Sequence, residues 1–320
     1  MTIHISKAVQ RALHEGRAVV ALESTLICHG IPRPRNAALA VAIEDAVRRA
    51  GAEPATIALL GGRVRVGLET AEIEDLAAAT DAAKCSTRDL PRVLATRGTG
   101  ATTVAATIFL ARRAGIGVMA TGGLGGVHLD GESSLDISAD LDELARTRAV
   151  VVCSGIKSIL DAPRTLERLE TLGVPIVGYR CAELPSFYSA ESGLPVPLVE
   201  SLDDLCRLVE AHDALGLPGG IVVVQPPPPQ HAMAKERVDR LVADARSDAR
   251  RAGVRGAAET PFMLRRMAEH SAGATVEVNC ALALANADLA GRLASSLARD
   301  SLPKRLDVLR DRDNSNNLFG

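Results

Sequence analysis

Ala149-Val150-Val151-Val152-Cys153-Ser154-Gly155-Ile156-Lys157-Ser158 begins as a β-branched apolar run and reaches a lysine four residues beyond it. An unbroken apolar run of this length is what a strand buried on both faces of a parallel sheet requires. Comparable runs occupy residues 18–22, 56–60, 116–120, 174–178 and 221–224. Between them, residues 36–49 and 102–113 carry apolar side chains at helical spacing and are closed by Gly51 and Gly115. Asp140 and Glu143, just ahead of Leu144, have capping-box spacing and predict a third helix with Asp140 at its cap. Residues 63–69 read as an irregular or hairpin excursion after Gly61-Gly62. The prolines at 226–229 read as a stiff exit into a helix over 235–251, and residues 275–299 as a long final helix. The alternation predicts an α/β fold, a compact three-layer α/β/α assembly around a mostly parallel central sheet. No linker divides the chain, so one unit is expected over residues 1–300, followed by a polar tail over 301–320 that frays.

Composition narrows the function. Apolar residues make up 47% of the 320, enough for a large core, while aromatic residues are only 2% and tryptophan is absent. So few aromatics argue against stacking of nucleic-acid bases. With 37 basic and 39 acidic residues the formal charge is −2, which offers no excess of cations for gripping a polyanion. A small anionic ligand needs only a few local cations and backbone donors. Six scattered cysteines without a C-x-x-C pair read as reduced thiols, and residues 1–16 have helical period without an apolar signal core. No stretch approaches the roughly 20 apolar residues that span a bilayer. A cytoplasmic location is expected.

Several segments carry chemistry. Lys157 stands where a strand of an open α/β sheet would aim it at the ligand-binding edge. Desolvation and a second cation, for which Lys84 is the candidate, would free its amine as a nucleophile; the alternative is a surface lysine on a loop. Glu23 ends the run over 18–22 and is either an acid–base group or a cap. Residues 122–126, Gly-Gly-Leu-Gly-Gly, follow a strand and permit close approach of backbone to a ligand, with His128 at the end of the loop. Gly98-Thr99-Gly100 is either a set of anion-binding backbone donors or a plain helix entry. Asp136 lies outside the predicted third helix, where capping does not account for it, and is a candidate ligand for a hard cation of the Mg²⁺ or Mn²⁺ type.

Taken together, these segments resemble the pseudouridine-5′-phosphate glycosidase family, which includes the indigoidine synthase A-like proteins. The resemblance rests on ALESTLICHGIP (21–32), KCSTRDL (84–90), GTGATTVAAT (98–107), ATGGLGGVH (120–128), LDISADL (135–141) and SGIKSILD (154–161). It continues through GVPIVGYR (173–180), ELPSFY (183–188), ETPFML (259–264) and VNCALALANA (278–287) and so covers nearly the whole chain in order. The family cleaves pseudouridine 5′-phosphate with water, reversibly, to uracil and ribose 5-phosphate. The resemblance implies Lys157 as nucleophile and Glu23 as proton donor. It implies Lys84, Val104, Ser138, Ala139 and Asp140 as substrate-binding residues, Asp136 as ligand of a divalent ion, usually Mn²⁺, and a homotrimer. His128 and Asn279 match polar residues expected to line the same pocket. Departures are Arg33 and Arg35 at the expected rim, QPPPPQ at 225–230, and Ala285-Asn286 where the family has paired asparagines. A Schiff-base aldolase and a non-catalytic nucleotide-binding protein are the rival readings.

Overall fold

The computed structural model describes residues 3–129, 131 and 135–315, with backbone alone at 257 and 300–315. Its main sheet is built on β2 (Val19–Leu22), β3 (Glu53–Leu60), β7 (Val118–Ala120), β9 (Val150–Cys153), β11 (Ile176–Tyr179) and β13 (Ile221–Val224). These are the six runs that the sequence marks as strands. Five further strands complete the sheet. Three of them, β1 (Ile3–Ile5), β4 (Arg63–Val66) and β12 (Leu198–Val199), extend its ends, giving the order β1-β4-β3-β2-β7-β9-β13-β11-β12. The other two lie off this path: β6 (Gly100–Thr102) branches from β3 and pairs β5 (Ala83–Cys85). From β3 to β12 every pair is parallel, whereas β4 and β6 run antiparallel to β3. The residues of β2, β7, β9 and β13 are all buried, which explains why they lack polar alternation.

Helices cover both faces. On one, α11 (Ala274–Ser315) lies against β2, β7 and β9 and packs on α2 (Arg35–Arg49) and α8 (Leu202–Ala214). On the other, α5 (Val104–Arg113) contacts β2 and β3 and packs against α6 (Ala139–Arg146). The remaining helices are α1 (Lys7–His14), α3 (Thr70–Ala78), α4 (Leu90–Ala95), α7 (Ala162–Thr171), α9 (Lys235–Arg251) and α10 (Glu259–His270). A separate two-stranded pairing joins β8 (Val127–His128) to β10 (Leu160–Asp161). No helix among the described residues is long and apolar enough to cross a membrane.

One splice in the sheet sets up the site. The first half of β3 pairs with β2, but β2 stops at Leu22 and β6 takes over the same edge of β3. Ser24 and Thr102 close the junction: both hydroxyls donate to the Ile57 carbonyl at 2.7 Å, and the Thr102 amide donates to Ser24 Oγ at 2.8 Å. Thr107 adds a third hydroxyl, 2.9 Å from Thr102 Oγ1. All three residues are buried, so each hydroxyl needs such a partner. The chain leaving β2 is thereby turned toward the strand ends, and β5, with Lys84, is brought alongside.

Four expectations need correction. The first residues form strand β1 before helix α1, because Ile3–Ile5 adds in parallel to β4. Gly98-Thr99-Gly100 leads into strand β6 rather than into a helix, which starts only at Val104 with Thr103 as its cap. Asp140 is not the cap of α6: Ser138 is, its hydroxyl accepting from the Asp140 amide at 3.2 Å. The final helix runs past residue 299 to Ser315, so the tail expected to fray falls partly within it; residues 316–320 lie outside the described residues.

Candidate functional site

The C-terminal ends of β2, β7 and β9 converge with β5 on one edge of the sheet. Glu23 directly follows β2 and is 9% exposed. Thr121, just past β7, donates its hydroxyl to one carboxylate oxygen of Glu23, and Thr25 donates to the other. Two hydroxyl donors fix the orientation of this carboxyl group and leave it poised at the strand ends.

Lys157 is positioned by a backbone lattice. Beyond β9, Leu124 N donates to the Gly155 carbonyl at 2.9 Å and Lys157 N to the Leu124 carbonyl at 3.1 Å, so two strand-end loops extend the sheet pairing. Gly155 has φ +80°, and a Cβ there would collide with the Pro185 carbonyl oxygen. Only glycine fits the turn that directs the chain toward Lys157.

Lys84 enters from β5, with its side chain open to the same space. Crowding by the surrounding protein, and after it the Lys157 ammonium, hold its pKa below the ordinary lysine value. Asp140, Glu23 and Asp136 act in the opposite sense. The second cation expected near Lys157 is therefore present.

Asp140 has a different job from the one its spacing suggested. It is 5% exposed, and its two oxygens accept from Ala105 N and Gly125 N, each at 2.9 Å. The carboxylate ties the first turn of α5 to the glycine loop. A Cβ at Gly125 would collide with Ser138 Oγ and sit 2.7 Å from Asp140 Oδ2, so the loop passes here only as glycine. The N-termini of α5 and α6, which begin at Val104 and Ala139, face this region, and their first-turn amides lack acceptors within the helix. Paired helix starts of this kind favour an anion.

Beside them, His128, Asp136 and Glu259 each offer a ligand atom within 4.8 Å of the others. His128 Nε2 lies 3.9 Å from Asp136 Oδ2, and His128 Nδ1 lies 3.7 Å from Glu259 Oε2. One imidazole nitrogen and two carboxylates form a hard, oxygen-rich set that fits a cation of the Mn²⁺ or Mg²⁺ class. Glu259 has no role in the sequence reading, although it heads the quoted ETPFML segment.

A cavity of about 250 Å³ gathers Glu23, Lys84, Val104, His128, Asp136, Ser138, Ala139, Asp140 and Lys157. Asn279 lines a smaller cavity, of about 60 Å³, that shares Glu23, Thr25, Lys84, Lys157 and Thr260 with the first. All ten residues singled out from the sequence thus border one two-chambered space, with both lysines and the glutamate at the junction. The larger chamber carries most of the charged side chains and also receives Ser86, Arg88 and Thr103; the smaller is mostly apolar, lined in part by Leu26, Phe187 and Leu264. The quoted motifs 21–32, 84–90, 98–107, 183–188 and 259–264 contain these extra residues but signal them only as neighbours of recognised positions. Arg33 and Arg35 line neither chamber. Arg33 donates to the carbonyls of Ala77 and Ala79 at the end of α3, and Arg35 forms a bidentate pair with Glu277 of α11.

Comparison with known proteins agrees with this geometry. Residues 8–296 match the family model of indigoidine synthase A-like proteins. Proteins named pseudouridine-5′-phosphate glycosidase are 48% identical in Methylobacterium nodulans, over 92% of this chain and 89% of the relative, and 47% identical in Solibacter usitatus, over 93% and 100%. Among solved structures, the prealnumycin C-glycosynthase AlnA in complex with ribulose 5-phosphate superposes with a TM-score of 0.87 at 40% identity, covering 94% of this chain and 98% of that one. An indigoidine synthase A-like protein from Thermotoga maritima gives 0.85 at 36% identity, with 93% and 97% covered. The chain belongs to the indigoidine synthase A-like family.

Proposed function

We propose that this protein is a C-glycosidase that cleaves pseudouridine 5′-phosphate with water to uracil and ribose 5-phosphate, using the Lys157 amine. The observation that carries the reading is the meeting of Lys157, Lys84 and Glu23 where a charged chamber joins a mostly apolar one. The larger chamber, with two helix starts, Lys84 and Arg88, suits a sugar phosphate. The smaller chamber suits a planar base. Relatives at 45–48% identity carry this activity in their names, and the structural neighbour AlnA holds a pentose phosphate.

The bond to be broken joins two carbons, so there is no heteroatom leaving group to protonate. Two carboxylates flanking an oxocarbenium ion solve that problem poorly. A lysine solves it covalently. The Lys157 amine bonds to C1′ as the C1′–O4′ bond opens, and O4′ takes the proton that the nitrogen then loses. The nitrogen lone pair then forms an iminium while the C1′–C5 bond breaks, and the electron pair leaves with the base. Glu23 delivers a proton to C5, releasing uracil. Water adds to the iminium carbon and regenerates the amine as ribose 5-phosphate departs, and the proton released by the water returns to Glu23. Thr121 and Thr25 keep the Glu23 carboxyl aimed during this sequence. Lys84 borders both chambers beside Lys157 and places positive charge there for an anionic sugar phosphate.

Asp136, with His128 and Glu259, would hold the divalent cation, which when bound supplies positive charge beside the anionic substrate. A homotrimer in the cytoplasm completes the reading, and sedimentation equilibrium tests the trimer. The activity itself is tested by following free uracil from pseudouridine 5′-phosphate and Mn²⁺. Wild type is expected to release uracil and Lys157→Ala to release none. Equal rates from the two proteins would overturn the role of Lys157.

A further inference from the structure

The smaller chamber contains two polar atoms that are shielded from solvent yet have no partner: His29 Nε2 and Asn279 Oδ1. A buried polar atom without a partner is unfavourable, so two of them on residues lining one chamber point to a ligand that supplies the missing donors. His29 sits on the turn Leu26–Gly30 that follows Glu23 by a few residues, and Asn279 sits on α11 across the chamber beside Gly122. The Ala82 carbonyl interacts with the His29 ring. A neutral ring protonated on Nδ1 leaves Nε2, the nitrogen without a partner, a lone pair to offer. Burial and the neighbouring Lys84 ammonium hold the His29 pKa below its usual value, and the ring stays neutral.

Counting then identifies the ligand edge. A uracil ring joined to the sugar through C5 keeps two N–H groups, N1–H and N3–H. A uracil joined through N1 keeps one. We propose that His29 is a specificity-determining residue whose Nε2 accepts one ring N–H of a C5-linked uracil, while Asn279 Oδ1 accepts the other. The two acceptors together thereby distinguish the C-linked nucleotide from its N-linked isomer, which leaves one of them without a donor. This inference rests on the glycosidase reading above.

The experiment compares pseudouridine 5′-phosphate with its N1-methyl and N3-methyl analogues, using wild type, His29→Ala and His29→Gln, and measures kcat/KM for each. Wild type is expected to disfavour both methyl analogues by about 100-fold or more, since a site built around a hydrogen bond rejects a ligand that cannot make it. In His29→Ala one of the two methylation penalties is expected to fall to about 10-fold or less while the other persists. His29→Gln, which retains an acceptor oxygen, should restore part of the lost discrimination. Ratios between substrates do not depend on how much of a preparation is folded, so even a destabilised variant decides the question. If His29→Ala keeps both penalties at their wild-type size, the inference is wrong. If wild type releases no uracil even from the unmethylated substrate, the glycosidase reading itself fails and the inference falls with it.

Discussion

Replacing Asn286 by alanine should destabilise the protein by about 3 kcal/mol and disable the site from behind. Asn286 is fully buried on α11, beneath the strand ends. Its Nδ2 donates to the Thr121 carbonyl at 2.9 Å and to Ser154 Oγ at 3.1 Å, and its Oδ1 accepts from Gln225 Nε2 at 3.0 Å. One side chain thus joins the ends of β7, β9 and β13. Alanine leaves the Thr121 carbonyl and the Ser154 hydroxyl buried without that partner, at about 1–3 kcal/mol each, and Gln225 loses its acceptor. At roughly 2.1 cal/mol/K per residue over 320 residues, a total of about 3 kcal/mol corresponds to a Tm lower by roughly 4–5 °C. Thr121 orients Glu23, and Ser154 lies three residues before Lys157, so a shift of either loop by about 1 Å should lower kcat/KM roughly 100-fold. Differential scanning calorimetry and a uracil-release assay read both effects. Asn286→Asp separates hydrogen bonding from packing: at neutral pH its carboxylate turns an acceptor toward the Thr121 carbonyl and should destabilise at least as much. Stability should partly return as pH falls and the acid gains a proton to donate. A Tm within about 1 °C of wild type for Asn286→Ala, below the shift expected from even 1 kcal/mol, with unchanged kcat/KM, would refute this reasoning.

Two further outcomes follow from the site. Lys84→Met should raise Tm at pH 7 while abolishing substrate turnover, because the folded state holds the Lys84 ammonium at a cost. With its folded pKa depressed, the protein regains stability as pH rises through that value toward the ordinary lysine pKa, so the advantage of the variant should shrink over the same alkaline range. Melting curves across pH check the sign, and an advantage that grows with pH would contradict it. Asp136→Ala and Glu259→Ala should each weaken Mn²⁺ binding at least about 10-fold by isothermal titration, with Glu259→Ala diagnostic because sequence reasoning gives that residue no role.

Much of the fold is legible because its central strands are buried on both faces. Such strands must be continuous apolar runs, and all six lie near the limits that the sequence predicts. The strands that escape notice, such as Ile3–Ile5, Ala83–Cys85 and Gly100–Thr102, are three residues long and exist through pairing with partners distant in sequence. Three residues carry too little periodicity to announce themselves. Glu23 and Lys157 are legible because strand ends are where open sheets collect chemistry. Asp140 is misread because its spacing to Glu143 imitates a capping box although Ser138 caps the helix, and only the tertiary fold brings Ala105 N and Gly125 N to its carboxylate. Glu259 cannot be paired with Asp136 from sequence, since a helix start far along the chain supplies it. The arginines at 33 and 35 look like a changed rim, but they point to the end of α3 and to Glu277.

The central claim is that the Lys157 amine bonds covalently to the sugar. Incubating the protein with ribose 5-phosphate, reducing with borohydride and mapping peptides by mass spectrometry tests it most directly. The account predicts the mass of one reduced pentose phosphate on the peptide containing Lys157, absent from Lys157→Ala. An unmodified Lys157 peptide, or the same adduct formed on Lys84 instead, would contradict it.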